Sequence, residues 1–377
     1  MRILHLGKYY APQRGGIERH TQALAEACVR AGDAVCVLVH QPPGTWHHAH
    51  ERIEGVEVRR TACFAAPVYT PLSPAFPFRF ARALREFRPD LLHLHVPNPS
   101  CFAALALPAA RRLPWIVHWH ADVPPDSPDW RLRLAYRAYR PFERALLARS
   151  RAIIATSTPY LDASLALAPW RGRTRIVPLG VDAVPSPQGG TSPWPRADAL
   201  HLLAVGRLGR YKGFDVLIDA LRSLPGADLV LIGDGECARE LRVRATAAGV
   251  ADRIVFAGEV DDATLSAAYA GADVFVLPSL DRGEAFGLVL LEAMRAGLPV
   301  VASDIPGSAV GEIVVDGETG MLVPPGDAAA LAAALTRMAD APVRRALGTH
   351  GHRRWLARYT LEASVAATRA LYRDVLT

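Results

Sequence analysis

Short apolar runs alternate with amphipathic stretches along the whole chain, and this alternation restricts the fold more than any other feature. Runs at residues 2–6 and 34–39 in the first half, and at 201–206 and 228–232 in the second, have the length of buried strands. The stretches that follow them have the apolar spacing of helices. Strands that alternate with helices form parallel sheets covered by helices on both faces. The sequence therefore predicts an α/β protein with doubly wound sheets.

The chain length and one Pro-, Gly- and Ser-rich segment predict two domains. A single core seldom grows beyond about 250–300 residues, and the chain has 377. We predict a first Rossmann-like domain over 1–183, a linker over 184–199, a second domain over 200–354 and a helix over 355–377 that crosses back to the first domain. Open α/β sheets bind ligands beyond the carboxyl ends of their strands, so a ligand is expected in a cleft between the domains.

The composition favours a protein of the cytoplasm. The five cysteines show no C-x-x-C spacing, which argues against a zinc site or a disulfide framework. The first strand pattern begins at once, without the apolar stretch of a signal peptide. No apolar run approaches the ~18 residues of a membrane span.

The charge is unevenly distributed and indicates an anionic partner for the first half. Residues 1–180 contain 24 Arg and Lys against 13 Asp and Glu, a net charge of +11. The apolar segment 67–78 precedes Arg79, Arg82, Arg85 and Arg88, and a second arginine-rich stretch follows at 130–149. We expect peripheral contact with an anionic membrane, at the inner face of the cytoplasmic membrane. The alternative is a solvated arginine face. No nucleic-acid reading motif is present, so no nucleic-acid partner is expected.

Glu284 and the three residues Phe286, Gly287 and Leu288 form the first candidate site. An apolar run precedes them, so Glu284 is expected in the loop beyond the carboxyl end of a strand. The amides of Phe286, Gly287 and Leu288 then belong to a helix start, where free N–H groups suit a phosphate. The alternative interpretation makes Glu284 an ordinary acid at a helix start.

Glu292 lies eight residues beyond Glu284, about two turns into the same helix. From there its carboxylate can accept hydrogen bonds from a pair of ribose hydroxyls. The alternative is a solvated residue paired with Arg295 at i+3.

Arg207 and Lys212 lie in a loop between a strand and a helix that opens near Gly213. Cations at a helix start oppose the helix dipole and cost about 0.3–1 kcal/mol each. The arrangement is favourable if an anion occupies the site, and Arg207 can grip a diphosphate in bidentate fashion while Lys212 adds a point charge. The alternative is a solvated basic loop.

Gly15 and Gly16 join the first strand to the first helix and allow the backbone to approach a ligand at a helix start. The spacing is not that of a dinucleotide fingerprint, since no G-x-G-x-x-G occurs here. A plain tight turn is the alternative.

His118 and His120 alternate near the carboxyl end of a first-domain strand, so they face away from Trp119. We expect His120 to face the cleft, with Asp122 orienting it or binding a substrate hydroxyl. His93 and His95 make a similar pair. We nevertheless expect no metal, because no carboxylate or thiolate stands at ligand spacing.

Taken together, these motifs resemble glycosyltransferase family 4, whose members are retaining enzymes with the GT-B fold. The chain is similar in particular to bacterial polysaccharide mannosyl- and rhamnosyltransferases. The order and strand-end placement of the motifs agree with the family over nearly the whole chain. The residues that carry the resemblance are Gly15, Gly16, His120, Arg207, Lys212, Gly213, Glu284 and Glu292.

The resemblance implies a role for each residue. Arg207 and Lys212 would hold the donor diphosphate, with Gly16 approaching the same phosphates. Glu284 would bind hydroxyls of the donor sugar and Glu292 the ribose. His120 would position the sugar near the reacting carbon.

The resemblance further implies transfer of a hexose, with no metal or other cofactor, from a nucleotide-sugar to a glycan or polyprenyl-linked acceptor in cell-surface polysaccharide synthesis. No D-x-D motif occurs, which agrees with a metal-independent family. The segment around His120 favours mannose from GDP-mannose. A UDP-sugar-dependent transferase and a nucleotide-sugar epimerase of the same fold are the alternatives.

Overall fold

A computed structural model describes residues 1–13, 15–67, 70–123, 130–183 and 194–377, apart from the side chain of residue 132. The chain divides into two compact units. The first comprises Met1–Gly180 together with Leu361–Thr377, and the second comprises Val181–Thr360. Each unit has a buried apolar core of its own, which agrees with a chain too long for one core.

The first unit is built on an eight-stranded sheet in the order β3-β4-β2-β1-β5-β6-β7-β8. Neighbouring strands are parallel except β3, which pairs antiparallel with β4 at the sheet edge. The strands are β1 Arg2–Leu6, β2 Ala34–His40, β3 Ala49–Ile53, β4 Val56–Thr61, β5 Leu91–Val96, β6 Trp115–Trp119, β7 Ala152–Ala155 and β8 Thr174–Ile176.

The helices of the first unit follow the strands and cover the sheet. The last helix comes from the carboxyl-terminal end of the chain and packs on the first one. The helices are α1 Gly16–Arg30, α2 Phe76–Phe87, α3 Ala103–Ala106, α4 Pro108–Arg111, α5 Trp130–Arg149, α6 Thr158–Ala163 and, at the end of the chain, α14 Leu361–Leu376.

The second unit is built on a six-stranded parallel sheet in the order β11-β10-β9-β12-β13-β14. Its strands are β9 Leu200–Val205, β10 Ala227–Ile232, β11 Ile254–Gly258, β12 Val274–Leu277, β13 Val300–Ser303 and β14 Gly320–Val323. Its helices are α7 Phe214–Leu221, α8 Ala238–Ala247, α9 Asp262–Gly271, α10 Leu288–Arg295, α11 Val310–Ile313, α12 Ala328–Arg337 and α13 Ala341–Arg358.

Both sheets reverse their strand order once, and this reversal locates the ligand-binding edge of each unit. The second sheet has the doubly wound order 3-2-1-4-5-6, with the reversal between β9 and β12. In the first sheet the reversal falls between β1 and β5. Ligands of such sheets bind beyond the carboxyl ends of the strands at the reversal. The loops that follow β1, β5, β9 and β12 therefore supply the candidate sites.

The unit boundaries differ from the sequence-based ones. The predicted helix over 355–377 is two helices, α13 and α14, and the segment that joins the first unit begins at Leu361. Most of the predicted linker, 184–193, lies outside the described residues. The remainder packs on the second unit, where Trp194 stacks on His201 and Arg196 pairs with Asp228.

Within the described residues, no helix combines the length and the apolar character needed to cross a bilayer.

Candidate functional site

The reversal point of the second sheet carries a buried ion pair between Lys212 and Glu284. Lys212 follows β9 and Glu284 follows β12, and the Lys212 ammonium lies 2.5 Å from a Glu284 carboxylate oxygen. Ser279 donates a hydrogen bond of 2.9 Å to that same oxygen. Burial alone would lower the pKa of Lys212, but the Glu284 carboxylate outweighs it and the pKa is raised. The lysine therefore stays charged inside the site.

Gly213 explains why Lys212 can reach this position. It has a φ of 64°, and a Cβ there would lie 2.1 Å from the Pro278 carbonyl oxygen. The chain after β9 thus passes against the chain after β12, which brings residues 72 positions apart into contact. The sequence placed both residues in strand-end loops but gave no sign that they bind one another.

Arg207 belongs to the same loop and pairs with Glu236, which follows β10, at 2.8 Å. Close packing of the two loops holds the pair in place, since a Cβ at Gly235 would lie 2.6 Å from the Leu208 carbonyl oxygen. Both basic residues predicted to bind a diphosphate thus have carboxylate partners in this structure. The assignment of these two residues to a diphosphate stays a prediction.

Glu292 is buried on α10, and the Tyr269 hydroxyl donates to its carboxylate at 2.8 Å. The alternative of a solvated Glu292 is therefore wrong, and Arg295 donates instead to the Asp182 carbonyl. Phe286 is buried, and Gly287, with a φ of 82°, precedes the first residue of α10, Leu288. A positive φ favours glycine, so Gly287 allows the sharp entry into this helix.

In the first unit, Gly15 and Gly16 lie where expected, at the start of α1. Gly15 is extended, and a Cβ at Gly16 would meet none of the described residues within 4 Å. By contrast, a Cβ at Gly15 would meet the carboxylate of Glu18.

Six buried histidines form a cluster at the centre of the first sheet, which we call the histidine cluster. In-register neighbours on parallel strands share a face, and His5 pairs with His93 while His95 pairs with His118. The members are His5 on β1, His20 on α1, His93 and His95 on β5, His118 on β6 and His120 just beyond it.

Hydrogen bonds join these rings into two chains. His5 Nδ1 lies 3.0 Å from His95 Nε2, and His95 Nδ1 lies 3.0 Å from His120 Nε2. In the other chain, His93 contacts His118 at 3.2 Å and the Tyr372 hydroxyl. The two ring nitrogens of His20 have no hydrogen-bond partner among the described residues.

Burial keeps the cluster uncharged. Burial, followed by a smaller effect of His20, lowers the pKa of His5 to about 3, and burial lowers the pKa of His20 to about 4. The pKa values of the other four members also fall well below the ordinary value, first through burial and then through neighbouring histidines.

Two expectations concerned His120. Its ring is buried and contacts His95, and the expectation that it faces the cleft stays a prediction. Asp122 does not orient it through its described hydrogen bonds, because its carboxylate accepts from the Trp119 indole and the Ser164 hydroxyl.

The ring nitrogens of two histidine triplets lie close enough to surround one ion. The triplets are His5, His93 and His95, and His95, His118 and His120. Neutral imidazole is a transition-metal ligand, so the triplets could ligate one without the carboxylate or thiolate that the sequence argument required. The neutral rings would offer nitrogen lone pairs to a metal ion. However, neither triplet contains an anion to offset the buried charge of a divalent ion.

Glu143 is a further candidate that the sequence analysis missed. Its carboxyl is buried on α5, Tyr136 donates to Oε1 at 3.3 Å, and Oε2 has no hydrogen-bond partner among the described residues. Burial raises its pKa to about 7. In the sequence, a glutamate within an arginine-rich helix is typical of an exposed surface, so no sequence pattern indicated that Glu143 is buried.

Comparison with known proteins agrees with this geometry. Residues 15–180 match the family model described as a glycosyl transferase 4-like domain, and residues 199–341 match glycosyl transferases group 1. A phosphatidyl-myo-inositol mannosyltransferase of Mycobacterium leprae is 32% identical over 90% of this chain and 87% of its own. The O-antigen chain mannosyltransferase C of Escherichia coli is 28% identical over 100% of this chain and 99% of its own length.

Among solved structures, sucrose-phosphate synthase from Thermosynechococcus elongatus superposes with a TM-score of 0.80. It is 26% identical and covers 99% of this chain and 98% of its own. The two Rossmann-like sheets and the matches to glycosyltransferases define a GT-B glycosyltransferase. The chain belongs to glycosyltransferase family 4. The predicted family, fold and enzyme class are therefore confirmed.

Proposed function

We propose that this glycosyltransferase transfers mannose from GDP-mannose, with retention of anomeric configuration, to a glycan or polyprenyl-linked acceptor in cell-surface polysaccharide synthesis. The observation that carries the proposal is the buried Lys212–Glu284 pair at the reversal point of the second sheet, with Arg207 in the same loop. Fixed positive charge at this edge suits a departing diphosphate, since preorganised charge costs no reorganisation during reaction.

The two ion pairs allow an exchange of partners when the donor binds. Glu236 is half exposed, so the diphosphate can take its place on the Arg207 guanidinium in bidentate fashion. Lys212 is buried with Glu284, and its ammonium has donors beyond the one given to that carboxylate. Lys212 can therefore contact a phosphate while Glu284 keeps it in place and accepts hydroxyls of the sugar.

The remaining candidates surround the donor in this proposal. Glu292 accepts hydrogen bonds from the ribose, and the backbone at Phe286, Gly287 and Leu288 meets a phosphate at the start of α10. From the first unit, Gly15 and Gly16 approach the same phosphates, while His120 positions the sugar and Asp122 binds a hydroxyl.

Mannose is favoured because two of the relatives are named as mannosyltransferases. A UDP-sugar donor is the alternative within the family, because the site residues contact sugar, ribose and phosphate rather than the base. A nucleotide-sugar epimerase of the same fold is the other alternative, and it would convert its substrate without an acceptor.

Catalysis is proposed to need no metal or other cofactor, because the arginine and lysine already supply positive charge to the diphosphate. Chelation by EDTA should leave initial rates unchanged. A rate that falls with EDTA and returns with a single divalent ion would show that this part of the proposal is wrong.

We place the enzyme at the inner face of the cytoplasmic membrane, in peripheral contact with anionic lipid. Residues 68 and 69 of the apolar segment lie outside the described residues. On α2, Arg79 and Arg85 form no ion pair within the described part of the chain, whereas Arg82 pairs with Glu86. Arg88 follows the helix end. The stripe that would meet lipid is therefore shorter than the sequence predicted.

The diphosphate assignment is tested by donor-dependent nucleotide release in Lys212→Met and Arg207→Gln. Each should lower turnover by about 10²–10³, the cost of losing one preorganised contact to developing charge. Arg239→Gln, an exposed arginine on α8, is the matched control and should keep wild-type turnover.

Lys212→Met also leaves Glu284 buried and unpaired, which costs about 3–5 kcal/mol of stability. The double variant Lys212→Met/Glu284→Gln removes that cost. If it regains both stability and turnover, the lysine has only a structural role and the proposed grip on the diphosphate is wrong.

A further inference from the structure

An apolar cavity of about 490 Å³ lies in the first unit, apart from the histidine cluster. Its volume falls in the range of about 300–1,000 Å³ that is usual for small-molecule sites. Its wall is almost wholly apolar, with two serines as the polar members. Its lining includes Phe64, Leu72, Phe76, Pro77, Pro99 and Ala103.

The position of the cavity places it on the ligand-binding edge of the first sheet. Phe64 follows the end of β4, and Pro99 and Ala103 follow the end of β5, so part of the wall comes from segments just beyond the carboxyl ends of strands. The start of α2 supplies Phe76 and Pro77. His40, the last residue of β2, stacks on Phe76 with ring centroids 4.8 Å apart and contacts the Ser100 hydroxyl at 2.9 Å.

The other nitrogen of His40 lies 2.9 Å from the carbonyl of Lys8, which begins the loop that carries Gly15 and Gly16. One side chain thus joins the cavity wall to the loop proposed to meet the donor phosphates. A molecule bound in the cavity would therefore have its solvent-facing end close to the carboxyl edge of the first sheet.

Exposed apolar side chains surround the cavity. Leu72 is 47% exposed and Phe64 is 39% exposed, although both line the wall. Trp46, at 72% exposure, packs on Phe64 with ring centroids 4.4 Å apart. Apolar surface of this kind is costly in water and marks a site that is covered when its ligand is bound.

The nearest candidate cation on α2 is Arg79, which is not part of the lining itself. Arg79 follows Phe76 by three residues, which places the two at neighbouring positions on the helix surface. Arg79 has no ion pair among the described residues, whereas the nearby Arg59, Arg60 and Arg82 all pair with glutamates. An unpaired arginine next to an apolar cavity is complementary to an anion attached to a hydrocarbon.

We propose that this cavity binds the hydrocarbon chain of an anionic lipid acceptor, with the acidic head group at Arg79. The inference rests on the proposed transferase function, because it selects the lipid-linked acceptor from the two acceptor classes. The chain lies among Phe64, Leu72 and Phe76, and the head group projects to the carboxyl edge of the sheet, where the sugar is received.

Isothermal titration of the full chain with decyl phosphate, below its micellar concentration, tests the proposal. Butyl phosphate keeps the head group and shortens the chain, and decyltrimethylammonium keeps the chain and reverses the charge. Decyl phosphate should bind at least about tenfold more tightly than either, since apolar burial grows with each methylene and the head group needs a cation.

Two variants locate the binding. Leu72→Asp places a carboxylate in the wall and should weaken decyl phosphate at least about tenfold. Arg79→Gln should make the decyl phosphate and decyltrimethylammonium affinities similar. Leu165→Asp, at a leucine 82% exposed elsewhere in the first unit, and Arg30→Gln, at the far end of α1, are controls that should change neither affinity.

Titration with GDP and UDP separates this inference from the proposed function. Both variants should bind nucleotide as the wild type does, which also shows that they are folded. Decyl phosphate that binds no better than butyl phosphate, or that binds Leu72→Asp and Leu165→Asp alike, overturns the cavity proposal. Absence of nucleotide binding in the wild type would instead refute the transferase proposal.

Discussion

The histidine cluster predicts that the first unit is unstable in mild acid. A histidine held neutral by burial has a folded-state pKa below its unfolded value of about 6.5. As the pH falls below 6.5, the unfolded chain takes up protons that the folded unit cannot accept, so stability is lost. The loss continues until the pH reaches the folded-state pKa, which is about 4 for His20 and about 3 for His5.

The magnitude follows from the interval between the two pKa values. One pKa unit corresponds to about 1.36 kcal/mol, so at pH 5 each of His5 and His20 costs about 2 kcal/mol. The two together cost about 4 kcal/mol, and the other four members act in the same direction. Domains are stable by only about 5–15 kcal/mol. The first unit should therefore lose most of its stability between pH 7 and pH 5.

Urea unfolding followed by hydrogen exchange, resolved by unit, measures this loss at pH 7, 6 and 5. The second unit contains His201, His350 and His352, none of them in a buried cluster, and should change little. His20→Leu should remove about 2 kcal/mol of the loss at pH 5, because it removes a group with a lowered pKa. The substitution breaks no hydrogen bond of the ring, since both ring nitrogens of His20 lack a partner among the described residues. His47→Leu, at an exposed histidine of the same unit, is the control. A first unit whose stability changes by less than about 1 kcal/mol over this range, or an unaltered loss in His20→Leu, would refute the reasoning.

Three further predictions concern the sites and their framework. Glu292→Ala should weaken nucleotide binding by about tenfold or more, the loss of about 1.4 kcal/mol expected for charge-assisted hydrogen bonds, and calorimetry with unaltered nucleotide affinity would contradict the ribose assignment. Gly213→Ala should destabilise the second unit by about 1–3 kcal/mol or more in urea unfolding, because the positive φ strains alanine and the Pro278 carbonyl oxygen occupies the space of its Cβ. Gly226→Ala is the control and should not, since its Cβ would meet none of the described residues within 4 Å. The chain should sediment with anionic vesicles, and binding should weaken as the salt concentration rises. Binding should be lost when Arg79, Arg82, Arg85 and Arg88 become Gln. Equal sedimentation with neutral and anionic vesicles at low salt would contradict membrane contact.

The sequence predicted the fold because the alternation of strands and helices is a local pattern, and it predicted which loops follow strand ends for the same reason. It could not predict that Lys212 binds Glu284, because that contact depends on the order of β9 and β12 in the sheet. The histidine cluster is a similar case. Alternation placed His118 and His120 on one face, but only the register of β1, β5 and β6 shows that histidines from three strands meet there.

Helix α13 was missed over residues 341–354 for a different reason. Gly348 and Gly351 weaken the helical pattern, since glycine disfavours helix interiors. In the structure a Cβ at Gly348 would lie 2.0 Å from the Gly297 carbonyl oxygen, so the glycine allows α13 to approach the loop after α10. The antiparallel strand β3 carries charged residues at an exposed sheet edge, which hides a strand from a reading based on apolar runs.

The central claim, transfer from a nucleotide-sugar, is tested most directly by nucleotide release from a panel of GDP-, UDP- and ADP-sugars in the presence of lipid and glycan extracts. We predict release of GDP from GDP-mannose without added metal, with the sugar recovered on an acceptor, and with release reduced by about 10²–10³ in Lys212→Met/Glu284→Gln. Release of no nucleotide from any donor, or conversion of the sugar while it stays attached to its nucleotide, would contradict the account.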